Sequence, residues 1–153
     1  MTNLLNTNVL LADDDRDDCL LFSEALAELS LQSSLTIVNN GEELMNHLKL
    51  HLEQLPDMLF LDMNMPRKNG AECLLELQQD QRLRSIPVII MSTFYDARKA
   101  IELYKKGAQH FICKPPAFAQ LKIVISNAFV LIQHENGRSA IDNFLINQLS
   151  PAC

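Results

Sequence analysis

An α/β fold, in which helices cover both faces of a parallel sheet, is what the sequence predicts, and three observations carry it. Five short apolar runs alternate with five helix-length amphipathic segments. Four of the five runs are nearly continuous in hydrophobicity, as strands buried on both faces must be. No linker, repeat or low-complexity stretch interrupts the 153 residues, which are therefore expected to share one core.

In chain order the runs are Val9–Ala12, Leu35–Val38, Met58–Leu61, Val88–Met91 and His110–Cys113. Helical patterns fill the intervals at 16–31, 41–53, 70–81, 97–106 and 117–134. In the first of these, Leu20, Leu21, Glu24, Ala25, Glu28 and Leu29 keep the helical period. Repeated strand–helix alternation implies right-handed crossovers and a three-layer, doubly wound sheet. Five (βα) units favour the flavodoxin-like strand order 2-1-3-4-5 over the dinucleotide-binding order. In either order, ligands gather at the C-terminal ends of the strands. Asn136-Gly137 is expected to end the last core helix, since Gly supplies the left-handed position beyond a helix C-terminus. Beyond it Ile141, Phe144, Leu145 and Leu149 recur at helical spacing, which predicts a sixth short helix. The core domain is therefore placed at 7–134 and a C-terminal extension, too short for an output domain, at 135–153.

Composition narrows the function classes. Net charge is -6, and no stretch concentrates Lys and Arg, so nucleic acid and anionic membrane are not expected partners. The N-terminus has neither a basic region nor a long apolar core, and no apolar run approaches the ~18 residues that span a bilayer. A cytoplasmic protein is the expectation. Cys19, Cys73, Cys113 and Cys153 form no C-x-x-C pair, and the first three sit in apolar runs, where a reduced buried thiol is usual.

Chemistry concentrates at the strand ends. The first strand runs into Asp13-Asp14-Asp15. Three consecutive carboxylates repel one another unless a cation sits among them, although Asp also serves as an ordinary helix cap. The third strand runs into Asp62-Met63-Asn64-Met65-Pro66. In the order 2-1-3-4-5 the first and third strands are neighbours, so Asp13, Asp14 and Asp62 converge. Converging carboxylate oxygens suit a hard cation that keeps waters, and Mg2+ fits best. The fourth strand ends at Ser92-Thr93, which brings hydroxyls to the other side of Asp62. The fifth ends at Lys114-Pro115, which puts an ammonium on the same rim, and a cis Lys-Pro bond is one way to turn it inward. A nucleophilic carboxylate, a cation site, a hydroxyl and an ammonium are the parts that phosphoryl transfer requires.

With these residues in place, the chain resembles the receiver domains of two-component response regulators over about 7–134. The resemblance implies that Asp13 and Asp14 position Mg2+ and that Asp62 accepts the phosphoryl group. It implies that the backbone carbonyl of Asn64 completes the metal shell, that Ser92 is the switch hydroxyl and that Lys114 contacts the phosphoryl group. Phe111 stands at the switch aromatic. Phosphorylation would then draw Ser92 inward and turn Phe111 from exposed to buried. The surface of the fourth helix, fifth strand and fifth helix, with Tyr104 and Phe111 on it, would contact a partner or a second copy, as exposed aromatics anchor interfaces. The implied phosphoryl donor is a sensor histidine kinase or a phosphotransfer protein, and the downstream target is a protein that the sequence does not identify. The chain would be a switch, not an enzyme acting on other substrates. Its Asp13-Asp14-Asp15-Arg16-Asp17-Asp18 opening is similar to that of stand-alone receivers encoded beside light-sensing and other histidine kinases. Phe94 departs from the family pattern, being bulky where many receivers carry a small or polar residue. A Mg2+-dependent phosphatase of the haloacid-dehalogenase type is the enzyme alternative, but it needs a second acidic cluster after its lysine. After Lys114 only Glu135 and Asp142 remain.

Overall fold

The computed structural model describes residues 6–135 and 140–146. Six parallel strands form one sheet: β1 (Thr7–Ala12), β2 (Ser33–Val38), β3 (Met58–Asp62), β4 (Val88–Ser92), β5 (His110–Cys113) and β6 (Leu145–Ile146). Their order is β2-β1-β3-β4-β5-β6. The helices are α1 (Arg16–Glu28), α2 (Gly41–Leu50), α3 (Gly70–Gln79), α4 (Ala97–Lys105) and α5 (Phe118–His134). The flavodoxin-like expectation for the first five strands is met, and a sixth strand extends the sheet.

Period-two alternation along the strands divides the core into two layers. Leu10, Ala12, Leu59, Leu61, Val88, Ile90 and Phe111 face one way, toward Leu44 and Leu48 of α2, Leu74 and Leu77 of α3, and Leu103 of α4. Val9, Leu11, Met58, Phe60, Ile89, Met91 and Ile112 face the other, toward Phe22 and Leu26 of α1 and Val124, Ile125 and Phe129 of α5. Every residue of β3 and β4 is buried, which explains the unbroken apolar runs there. β2 lies at the sheet edge and is covered less, as Thr36 and Ile37 are exposed and only Val38 is buried.

Side-chain caps start four of the helices and so fix where each strand-to-helix turn ends. Asp15 caps α1 by accepting from the N–H groups of Asp17 and Asp18, and Asn40 caps α2 from Glu43. Asn69 and Glu72 form a reciprocal capping box at α3, and Asp96 caps α4. Each such cap stabilises its helix by about 1 kcal/mol and leaves the strand ends free for chemistry.

The tail differs from expectation. Ile141–Asn143 form a single 3-10 turn, and Leu145–Ile146 pair in parallel with β5 instead of continuing a helix. An isolated helix of so few residues is marginal in water, whereas the free edge of β5 offers unpaired backbone groups. Phe111 N–H donates to the Phe144 carbonyl at 2.9 Å, and Phe144 and Ile146 are buried in the two core layers. Leu149 and Gly137 lie outside the described residues. Every peptide bond among the described residues is trans, Lys114–Pro115 included, because the trans backbone already delivers the lysine to the rim. Cys19 and Cys73 are buried free thiols, as expected of cysteines in apolar runs, and Cys153 lies outside the described residues.

No described helix is long and apolar enough to cross a membrane.

Candidate functional site

The strand registers bring the site together. Ala12 lies beside Leu61 and Asp62 beside Met91, so the residues that follow these pairs share one rim. Asp13 follows β1 directly, is buried, and accepts from the Asp15 N–H at 3.0 Å. Asp62 closes β3 and is 6 % exposed. The turn after it is locked by Gly70, whose N–H donates to the Met63 carbonyl at 3.1 Å. A Cβ at Gly70 would come within 2.5 Å of the Asp62 carbonyl oxygen, so the loop can close this tightly only over a glycine.

Asp13, Asp14 and Asp62 each offer a carboxylate oxygen within 4.8 Å of the others, with Asp14 on the exposed side. Burial raises the pKa of Asp13, against the pull of the Asp15 N–H and Lys114. Burial also pushes Asp62 up to about 6, with Lys114 opposing and Asp13 adding to the rise. Two carboxylates that are hard to ionise, beside a third at the solvent edge, fit a dication that would relieve their crowding. Oxygen-only donors suit a hard divalent cation.

Lys114 supplies the cationic side. Its Nζ lies 2.9 Å from Asp18 Oδ2, 3.0 Å from Asp13 Oδ2 and 3.4 Å from Asp62 Oδ1. Burial works against its charge, but the hydrogen bonds to Asp18 and Asp13 prevail and hold its pKa above the ordinary lysine value. Ser92 ends β4 and is buried, and its Oγ accepts from the Phe94 N–H at 3.2 Å. The Lys114 N–H donates to the Ser92 carbonyl at 2.7 Å, which ties the hydroxyl-bearing and ammonium-bearing loops together. Asn64 is exposed, and its backbone N–H bonds the Asp62 carboxylate. Phe94, two residues after Ser92, is 68 % exposed.

The family model of the response regulator receiver domain matches residues 9–126. The chain belongs to that family. It is similar to response regulator Rcp1 of Synechocystis sp., at 29% identity over 110 residues, which is 69% of this chain and 75% of that one. It also resembles the probable methanogenesis regulatory protein FilR2 of Methanothrix harundinacea, at 27% identity over 117 residues, 74% of this chain and 76% of that one. Among solved structures, the phosphorylated cyanobacterial phytochrome response regulator RcpA superposes with a TM-score of 0.77 at 27% identity, covering 88% of this chain and 100% of that one. The receiver is thus a two-component response regulator domain of the phosphoacceptor-switch family, whose members hold a divalent metal at this acidic pocket and interact with histidine kinases or phosphotransfer proteins. The haloacid-dehalogenase alternative gains no support. Glu135, one of the two acids it would need, bonds His110 at the opposite end of β5 from Lys114.

Two features of the receiver run against the sequence reading. Phe111 is 3 % exposed and not an exposed aromatic awaiting burial. It lies against Tyr95, with ring centroids 5.7 Å apart, and against Phe144 of the tail at 6.3 Å. β6 also occupies the edge of β5, so the expected contact surface of α4, β5 and α5 is partly covered from within. The other feature is Asp18, which the sequence reading passed over as part of an acidic helix start. No local pattern signals it, because what distinguishes Asp18 is its contact with Lys114 across the fold.

Proposed function

We propose that this receiver takes a phosphoryl group on Asp62 from a sensor histidine kinase or a phosphotransfer protein, in a Mg2+-dependent reaction. The observation that carries the reading is the buried Asp62 carboxylate between a cluster of acidic oxygens and the Lys114 ammonium. Asp13, Asp14, Asp62 and the Asn64 backbone carbonyl would hold Mg2+, which when bound offsets negative charge on the phosphoryl oxygens. An Asp62 oxygen attacks phosphorus in line, and the bond from phosphorus to the donor's histidine nitrogen breaks. Lys114 pairs with one phosphoryl oxygen, and Ser92 gives up accepting from Phe94 to donate to another. The chain catalyses only its own phosphorylation and dephosphorylation.

Drawing Ser92 inward alters the packing behind it, where Phe111 sits between Tyr95 and Phe144. The switch therefore acts on the contact between Phe111 and the tail strand, and through it on a partner protein or a second copy that binds the α4, β5 and α5 side. The cytoplasm, where kinases of this kind present phosphohistidine, is the fitting compartment. RcpA and Rcp1, both response regulators, support the reading by their likeness over most of the chain.

Radiolabel transfer from phosphorylated histidine kinases of the same genome tests the proposal. One kinase should label the chain rapidly with Mg2+ present, not with EDTA, and never the Asp62→Asn variant. Fast multiple turnover of small phosphate esters without stable labelling would instead indicate a phosphatase.

A further inference from the structure

The nearest partner of Lys114 is a carboxylate that neither the metal cluster nor the phosphoacceptor accounts for. Asp18 Oδ2 stands 2.9 Å from Nζ, closer than Asp13 at 3.0 Å or Asp62 at 3.4 Å. The acidic cluster consists of Asp13, Asp14 and Asp62, and Asp18 is outside it. An ammonium has three N–H donors and accepts nothing. With Asp18 and Asp13 engaging two of them at hydrogen-bond distance, the third is left on the side of Asp62.

A cation in the cluster changes this balance. It would share Asp13 and Asp62 with the lysine and repel the ammonium, leaving Asp18 as the carboxylate that serves Lys114 alone. Lysine's four-carbon stem is flexible and its charge strongly hydrated, so without that anchor the ammonium would swing toward water. Its side chain is only 13 % exposed, whereas that of Asp18 is 37 % exposed, so Asp18 is the partner on the more open side.

We propose that Asp18 is a positioning residue for Lys114, holding the ammonium over Asp62 while metal occupies the acidic cluster, so that one N–H meets the incoming phosphoryl oxygen. This rests on the reading of Asp62 as phosphoacceptor. It assigns the acidic first turn of α1 a role beyond helix capping, which Asp15 already performs.

The test uses the full chain with beryllofluoride as the phosphoryl mimic, acetyl phosphate as the donor, and a separate Mg2+ titration by calorimetry. Asp18→Ala should weaken beryllofluoride binding and slow phosphorylation by about tenfold, the scale of one charge-assisted hydrogen bond. Asp18→Asn, which keeps the side-chain size and an acceptor but not the charge, should fall between it and wild type. Affinity for Mg2+ alone should stay nearly unchanged in both. In a Lys114→Ala background, Asp18→Ala should cost nothing further. An equal loss with and without Lys114, or no loss in either assay, would reduce Asp18 to a helix-start residue and overturn the proposal. A wild-type chain that binds Mg2+ but neither beryllofluoride nor phosphoryl would instead sink the phosphoacceptor reading, and the proposal with it.

Discussion

Replacing Asp62 should stabilise the metal-free protein. Burial raises Asp62 from 3.8 to about 6, so between those values the native chain keeps a proton that the unfolded chain has released. Stability therefore falls as pH rises through that window, and the penalty is complete above it. About two pKa units correspond to about 3 kcal/mol, an upper scale because the lysine and local water relax around the charge. Asp62→Asn removes the charge and leaves Lys114 with Asp13 and Asp18. At pH 8 in EDTA, the variant should melt about 5–10 °C above wild type, given the usual 2–4 °C per kcal/mol at this size. The advantage should shrink as pH drops toward 4, and millimolar Mg2+ should raise the wild-type midpoint more than that of the variant. Differential scanning calorimetry across pH, with and without Mg2+, reads all three. A difference between variant and wild type that ignores both pH and Mg2+ would refute the electrostatic account of the rim.

Other expectations concern the rim and the tail. Phe94 presents an exposed apolar face where a polar side chain could orient attacking water, so Phe94→Glu should speed loss of phosphoryl by up to about 10²-fold; decay of isolated phosphoprotein measures it, and an unchanged half-life would place the gate elsewhere. Phe144 is buried against Tyr104, with ring centroids 5.4 Å apart, and against Phe111, so Phe144→Ala should cost about 3–5 kcal/mol in urea unfolding; a loss below about 1 kcal/mol would mean that the tail adds little to the core. His110 bonds Glu135 with Nε2 at 2.9 Å and the Asn143 carbonyl with Nδ1 at 2.9 Å. His110→Ala should therefore loosen the tail and speed hydrogen exchange at the Phe111 amide, with protection equal to wild type as the contrary result.

The sheet was legible because its signal is local: unbroken apolar runs mark β3 and β4. The acidic rim was legible once strand order made the ends of β1 and β3 neighbours. Pairing across the fold was not. The tail residues carry helical spacing, yet they pair with β5 because its edge was open, and no local pattern reports an open edge. The burial of Phe111 depends on Phe144, 33 residues away in sequence but paired through a backbone hydrogen bond. Asp18 stayed hidden for a related reason. In sequence it is one acid among several at a helix start, and only the position of Lys114 sets it apart.

The site of phosphorylation is the central claim, and intact mass spectrometry with peptide mapping tests it most directly. Incubation with acetyl phosphate and Mg2+ should add one phosphoryl group, labile to alkali and mapped to Asp62 after borohydride reduction of the acyl phosphate. EDTA or Asp62→Asn should abolish the adduct. An adduct that persists in Asp62→Asn, or that forms equally well without a divalent metal, would contradict the account.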